Sequence, residues 1–521
     1  MTTDIPVAVH RAVRNPHAQG PLGLVVAAAL VALVTLAPLA IIASRALEPG
    51  WAAASAYLLR PRMGELLTNT VALLLITVPL TVIIGVGAAL LVERSSLPGA
   101  AAWRVVLLAP LAVPAFVSSY AWSSLWPSLT GLGGAVLVTT LAYYPFVYLP
   151  ASALLRSLDQ GDVDAARALG ETAVGAVRRI ILPQLRPAIC GGALLVALHL
   201  LAEFGVMQMM RFSTLTTAIV QQYAVGFSDA AGSLLAMTLI GLCLLVLTLE
   251  VLARGRVRIA RVGPGSWQLP VRATLGRWTS PALIALTALA GLAVGVPVAL
   301  VTRWLLRAVQ NGVVSGSTVL ATTSTTLLLA LLAGLAALVA ALPSAWLLSR
   351  HRTPLADALE RVTFLASALP GVVVGLALVT AAVQWARPVY QTVGLVVLAY
   401  VILFVPRTIV TWRAGLSASP AELSEAARSL GQGPIRTFGR VVLPLVAPSA
   451  LAGFVLVFLA TTTELTATLL LAPTGTQTLA TAFWAASDEL DYAASAPYAA
   501  VMILLSAPLT LLLRRQILQI R

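Results

Sequence analysis

Residues 164–183 read DAARALGETAVGAVRRIILP, and residues 425–444 read EAARSLGQGPIRTFGRVVLP. Both stretches carry an acid followed by two alanines, a glycine six residues after the acid, and a closing Leu-Pro behind two branched residues. Every element is displaced by 261 residues, close to half of the 521-residue chain. Pro145 and Pro406 share that displacement, as do Glu203 and Glu464. Upstream, Pro98 and Pro354 are displaced by 256, and so are Pro114 and Pro370. The chain is therefore a tandem duplication with a short length change between its blocks.

The composition says where such a duplicated unit lives. Apolar residues make up 59% and charged ones 10%, against about 25% charged in soluble globular chains. Mean hydropathy is +0.94. A soluble enzyme and a disordered chain are excluded, and a polytopic membrane protein remains. A formal charge of +14 then reads as arginine gathered on cytoplasmic loops and not as a nucleic-acid surface.

A helix needs roughly 20 apolar residues to cross a bilayer core of about 30 Å, because only a helix satisfies its own backbone there. Such runs fall near 22–44, 70–92, 105–122, 131–154, 188–207 and 234–253, then near 282–302, 326–348, 362–383, 394–410, 449–471 and 492–513. The expected fold is all-α, with about twelve transmembrane helices in two parallel six-helix repeats. The first run is too long for a signal-peptide core and is kept as a helix. A cytoplasmic N-terminus places 26 of the 33 arginines on inside loops, so both termini are assigned to the cytoplasm and the acidic group Asp488, Glu489 and Asp491 to the outside.

The domain reading follows: residues 1–253 form the first membrane domain with its repeated loop at 156–187, residues 254–280 a basic linker, and residues 281–521 the second domain with its loop at 413–448. Each loop reads as a short helix, a turn at Gly170 or Gly431, and a second helical stretch ending at Pro183 or Pro444. Glycine permits the positive φ of a sharp turn, and proline fixes the re-entry angle. The small Ala165-Ala166 and Ala426-Ala427 pairs let the first helix lie closely in another protein's groove. An exposed helix joined rigidly to membrane helices suits mechanical coupling to a soluble motor.

These segments resemble the EAA loop of binding-protein-dependent ABC importer permeases, over nearly the whole chain. The resemblance implies that Asp164, Ala165, Ala166, Gly170 and Pro183, with Glu425, Ala426, Ala427, Gly431 and Pro444, form two coupling elements seated on an ATPase. It also implies two ATPase subunits, which hold the ATP and Mg, and an extracytoplasmic binding protein or lipoprotein. Asp164 departs from the family's glutamate, which implies unequal ATPase contacts. The stretches Leu201–Gly205, Phe212–Ile219, Glu464–Leu471 and Thr478–Thr481 look like the ferric-iron permeases; fused thiamine permeases share the architecture. The chain contains no lysine, so no phosphate-binding loop of the GxxxxGK[ST] type can be written in it. It is expected to bind no cofactor, to catalyse nothing itself, and to touch membrane lipids but not nucleic acid.

Glu203 and Glu464 occupy equivalent places in the outer part of each fifth span. A carboxylate at such a depth costs about 2.5–3.5 kcal/mol on insertion scales and usually faces a polar interior. His199 shares the Glu203 face, and Thr461 and Thr468 share that of Glu464, so these five are the candidate substrate path. Oxygen donors suit a hard cation, and no metal site is fixed. The opposing reading is that each glutamate satisfies backbone and threonine groups and only fixes packing.

Shorter expectations concern single residues. Glu250 pairs with Arg254. Met207, Met209 and Met210 pack, Gly371 and Gly375 mark close helix contact, and Cys190 and Cys243 are small buried hydrophobes. A proton-driven secondary transporter relaying through Glu203, Glu464 and His199 leaves the repeated loops unexplained. An intramembrane enzyme lacks any supporting motif.

Overall fold

The computed structural model describes residues 22–158, 161–225, 229–254, 273–313, 315–350, 353–366 and 368–519. Most of the arginine-rich linker, together with His10, His17 and His351, lies outside them. Among the described residues the regular structure is helical, save one isolated bridge between Ser95 and Ala273.

Nine helices among the described residues are long and apolar enough to cross a membrane: Leu22–Leu47, Pro61–Arg94, Gly131–Ser157, Val174–Ala202, Ala230–Arg254, Gly276–Gln310, Gly316–Arg350, Val393–Ala418 and Pro434–Thr462. The expected twelve straight spans are corrected at the third and ninth runs, and the twelfth lies within the helix Tyr492–Gln519. The third is a pair, Ala100–Ala112 and Ala115–Leu125, bent by 87°. The ninth is two helices, Pro354–Ala366 and Gly371–Trp385. Both breaks fall at the equivalent prolines: a helix restarts immediately after Pro114 and again after Pro370. The cause is local, since proline lacks an N–H and drives its predecessor out of helical geometry; Val113 is extended, with φ −105° and ψ 114°.

The fifth run of each half is also interrupted. One helix ends at Ala202 and resumes as Gly205–Met209; the other ends at Thr462 and resumes as Thr466–Leu471. At their other ends the same helices carry π-turns, Val177–Ile181 and Phe438–Val442. A third π-turn spans Gly291–Gly295. All three end two residues before a proline, namely Pro183, Pro444 and Pro297. A proline ring strikes the carbonyl four residues back in an α-helix, and the wider π-turn relieves that clash without ending the helix. The expectation that the loop stretches end at Pro183 and Pro444 is thereby corrected, because the helices run straight through.

The described chain forms two compact units that cut across the sequence halves. One holds residues 22–37, 334–366 and 404–457; the other holds 38–333, 368–403 and 458–519. Equivalent close approaches recur in both. A Cβ on Gly192 would lie 2.8 Å from Val147 Cα, and one on Gly453 would lie 3.3 Å from Thr408 Cγ2. Each pair is displaced by 261, so one helix crossing is built twice with glycine at its tightest point.

The larger unit contains a core to which both sequence halves contribute: Phe116, Tyr120 and Phe204 pack with Leu465, Phe483 and Trp484. Two helix starts beside it are capped alike. Thr70 Oγ1 accepts from the Leu215 amide at 3.2 Å, and Thr326 Oγ1 accepts from the Leu479 amide at 2.8 Å. Thr217 Oγ1 accepts from the Thr214 amide and Thr481 Oγ1 from that of Thr478, both at 2.9 Å. Replacing Thr326 by the isosteric Val strips a buried amide of its acceptor, which costs about 1–3 kcal/mol. The detergent-purified variant should melt below wild type, whereas Ser324→Ala, at an exposed position, should not.

Candidate functional site

The repeated loops open with the helices Gly161–Ala168 and Ala421–Ser429. They close with the same backbone bonds. In the first, the Gly170 amide donates to Arg167 O and the Glu171 amide to Ala166 O, each at 3.0 Å; in the second, Gly431 donates to Arg428 O at 2.9 Å and Gln432 to Ala427 O at 3.0 Å. This paired closure places the glycines at φ 91° and 79°, where a side chain costs about 1–2 kcal/mol. Gly170 and Gly431 are thus required by the turn, as the spacing predicts.

Asp164, Ala165, Glu425 and Ala426 lie on the outside of their helices, Ala166 is half-buried and Ala427 is buried. Sequence reasoning passed over the neighbouring apolar side chains. Leu169 is 87% exposed and Leu430 81%, and beyond each turn Val174 is 77% exposed and Ile435 86%. Each pair is displaced by 261, and that repetition was the available signal. A large apolar side chain gains nothing for its own fold by standing in water, so matched exposed pairs mark a contact surface. Trp346 packs edge-on against Phe438 at 5.7 Å, and Arg350 Nη2 donates to Ser419 O at 3.2 Å. These contacts tie the second loop to the helix Gly316–Arg350.

Glu203 and Glu464 do not project from the fifth helices; they sit in the breaks beyond them. Glu203 Oε1 accepts from the Val206 amide at 3.0 Å, and Glu203 Oε2 accepts from the Tyr143 hydroxyl. Glu464 Oε1 accepts from the Ala467 amide at 2.9 Å and from Thr466 Oγ1 at 3.0 Å. Each carboxylate therefore caps the short helix that follows it, bonding the amide three residues on. The shared faces read from helical spacing are corrected for the same reason. His199 stays on its helix, with Nδ1 2.7 Å from Leu195 O and its ring tilted against Phe146 at 4.4 Å. Thr461 lies before the break and Thr468 after it; Thr468 Oγ1 donates to Glu464 O at 2.9 Å and is 2.6 Å from the Tyr400 hydroxyl.

The two breaks nevertheless come together. Phe204 and Leu465, each following its glutamate, share the core described above. A Cβ on Gly205 would meet Phe116 Cβ at 2.6 Å and Leu465 Cδ2 at 3.5 Å. Glu464 is within electrostatic reach of Glu203. Among the described residues no group of three His, Cys, Asp or Glu side chains is arranged to hold a metal. The arrangement can line a polar constriction, and the same bonds make it a packing device.

The smaller expectations are met except at Cys190, which is not buried. Glu250 pairs with Arg254 at 2.6 Å. Met207 and Met210 are buried, and Met209 packs on the core. Gly371 abuts Glu464 and Thr466, Gly375 abuts Leu470, and Cys243 is buried while Cys190 is half-buried.

One polar node was missed altogether. Glu93, 4% exposed, receives Arg104 at 2.7 and 3.0 Å and the Ser152 hydroxyl at 2.6 Å. The equivalent positions of the second half carry Ser349, Glu360 and Arg413, of which Glu360 and Arg413 form an ion pair. Acid, base and hydroxyl have moved one place round the same three positions.

Duplicated helical repeats, interrupted spans and twin exposed loop helices define a membrane permease built as a pseudo-dimer within one chain. Residues 50–259 and 335–517 both match the family of binding-protein-dependent transport system inner membrane components. The chain belongs to that family, and it is a multi-pass translocation subunit. It is 33% identical over 499 residues to the Fe(3+)-transport system permease protein FbpB 2 of Haemophilus influenzae, covering 95% of this chain and 98% of that protein. More partial likenesses are to the sulfate transport system permease protein CysW of Escherichia coli, 29% identical over 33% of this chain and 65% of that protein, and of Synechocystis, 28% identical over 34% and 72%.

The Glu93 node gives a stability test. Glu93→Ala leaves Arg104 without its anion and should destabilise the protein by about 3 kcal/mol, the low end for a broken buried pair because Arg104 is partly exposed. Detergent melting should show the loss, and adding Arg104→Met should recover much of it.

Proposed function

We propose that this chain carries ferric iron across the plasma membrane as the permease of an ATP-driven importer, receiving it from an extracytoplasmic binding protein. The observation that carries the reading is end-to-end similarity to an Fe(3+) permease, both halves included. The cargo is a substrate in transit, so the lack of a three-ligand cluster among the described residues fits passage and not storage.

Two ATPase subunits dock beneath residues 161–181 and 421–442, with both loops and both termini in the cytoplasm. ATP and Mg stay on those subunits, since this chain has no lysine for a phosphate-binding loop. Leu169 and Val174, and Leu430 and Ile435, enter the ATPase surface as apolar anchors beside Asp164, Ala165, Ala166, Glu425, Ala426 and Ala427. Each loop passes through a π-turn into an unbroken helix, Val174–Ala202 or Pro434–Thr462, so closure of the ATPases moves each helix as a rod. The far end of each rod is a glutamate-capped break, and Glu203 and Glu464 there give a hard cation oxygen ligands. Residues 1–253 and 281–521 serve as the two membrane domains, joined by 254–280.

Liposomes holding the full complex, supplied with loaded binding protein and internal ATP, should accumulate labelled ferric iron and not labelled thiamine. Uptake that persists without the ATPase subunit, or that favours thiamine, defeats the reading. For the loops, Leu430→Asp should weaken ATPase binding at least tenfold in a pull-down titration while the melting temperature holds, because the side chain is exposed. Leu169→Asp should do so on the other side, and equal binding by either variant and wild type would remove the anchors.

A further inference from the structure

The helix Leu182–Ala202 has 21 residues and is about 30 Å long at 1.5 Å per residue. Beyond its end away from the first loop, both sequence halves enclose a cavity of about 210 Å³. Tyr120, Ser123, Gln208 and Arg211 line it from the first half, Ser487 and Asp488 from the second. None of the path residues read from the sequence is among them.

Three features mark this cavity as a ligand site. Ser487 is only 6% exposed, and among the described residues neither its hydroxyl nor that of Ser123 has a hydrogen-bond partner, which a site without a ligand rarely tolerates. Arg211 and Asp488 both line it, yet among the described residues neither forms an ion pair. Arg211 and Leu490, both at the cavity, hold positive φ of 51° and 61°, a strained conformation that tends to persist at functional positions.

Charge decides the ligand class. A bare cation would satisfy Asp488 and be repelled by Arg211; a lone anion would meet the reverse. A hard metal ion carrying an oxyanion satisfies both, with Asp488 and the two serine hydroxyls toward the metal, and Arg211 and the Gln208 amide toward the anion. At about 30 Å³ per water-sized group, the cavity has room for such a pair. Trp484 lines the cavity and packs on Phe204 at 5.0 Å. Phe204 directly follows Glu203, so an aromatic pair separates the cavity from the two breaks.

We propose that this cavity is the first resting place of the cargo after the binding protein releases it, and that it receives a ferric ion together with an oxyanion. The site rests on the ferric-iron reading above. The test uses the complete complex in liposomes, with binding protein loaded with labelled ferric iron and inorganic phosphate as the anion. Arg211→Gln and Asp488→Asn should each slow initial uptake at least fivefold. Receptor affinity, titrated on the same liposomes, separates resting place from docking contact. Wild-type uptake by either variant overturns the site, and so does a loss of uptake matched by an equal loss of receptor affinity. If wild-type liposomes take up no iron, the ferric reading fails first; if they do and the variants match them, only the cavity fails.

Discussion

A helix that stops within hydrocarbon exposes amides that lipid cannot satisfy, and the organisation of this protein follows from meeting that demand from within. Four of the helices that begin beside these breaks have a side-chain acceptor of their own. Glu203 and Glu464 serve the helices after the fifth-span breaks, and Thr70 and Thr326 serve the helices starting at Leu215 and Leu479. Because the acceptors come in pairs, the duplication extends to single hydrogen bonds. Interruption, which a membrane ordinarily forbids, is tolerated where each restarting helix finds its own acceptor.

Much of this was legible from residues alone. The repeated loops announce themselves by equal spacing, and Gly170 and Gly431 adopt the positive φ that the turn requires. Each apolar run does become helix. What escaped was the shape of those helices. Hydropathy averages over Pro110, Pro114 and Pro370 and sees an unbroken run, whereas proline's missing donor and its effect on the preceding residue act at one position. The glutamates were placed on helical faces because spacing arguments assume the helix continues, and at Glu203 and Glu464 it does not. Glu93 went unnoticed because a lone acid near a span end looks like an interfacial charge until Arg104 and Ser152, distant in sequence, are seen closing on it.

The π-turns connect the loops to the membrane. A proline near the start of a long helix could have served as a hinge, and the sequence alone suggested a terminus there. The extra residue in each π-turn instead absorbs the ring, so the helix is continuous from loop to break. In the proposed coupling this continuity makes each helix a stiff lever; a swivel at Pro183 or Pro444 would dissipate displacement before it reached the break.

The rotated charges of the two halves carry an evolutionary consequence. Glu93, Arg104 and Ser152 correspond to Ser349, Glu360 and Arg413, so each half balances its charge only with its own three segments. Exchange the segment bearing Arg104 for the one bearing Glu360, and the first half acquires two facing acids, Glu93 and Glu360, while the second is left with two unopposed cations, Arg104 and Arg413. Recombination between the tandem copies is thereby penalised segment by segment. Two sequences that began as identical twins have become mutually incompatible in their parts while remaining alike in their outline.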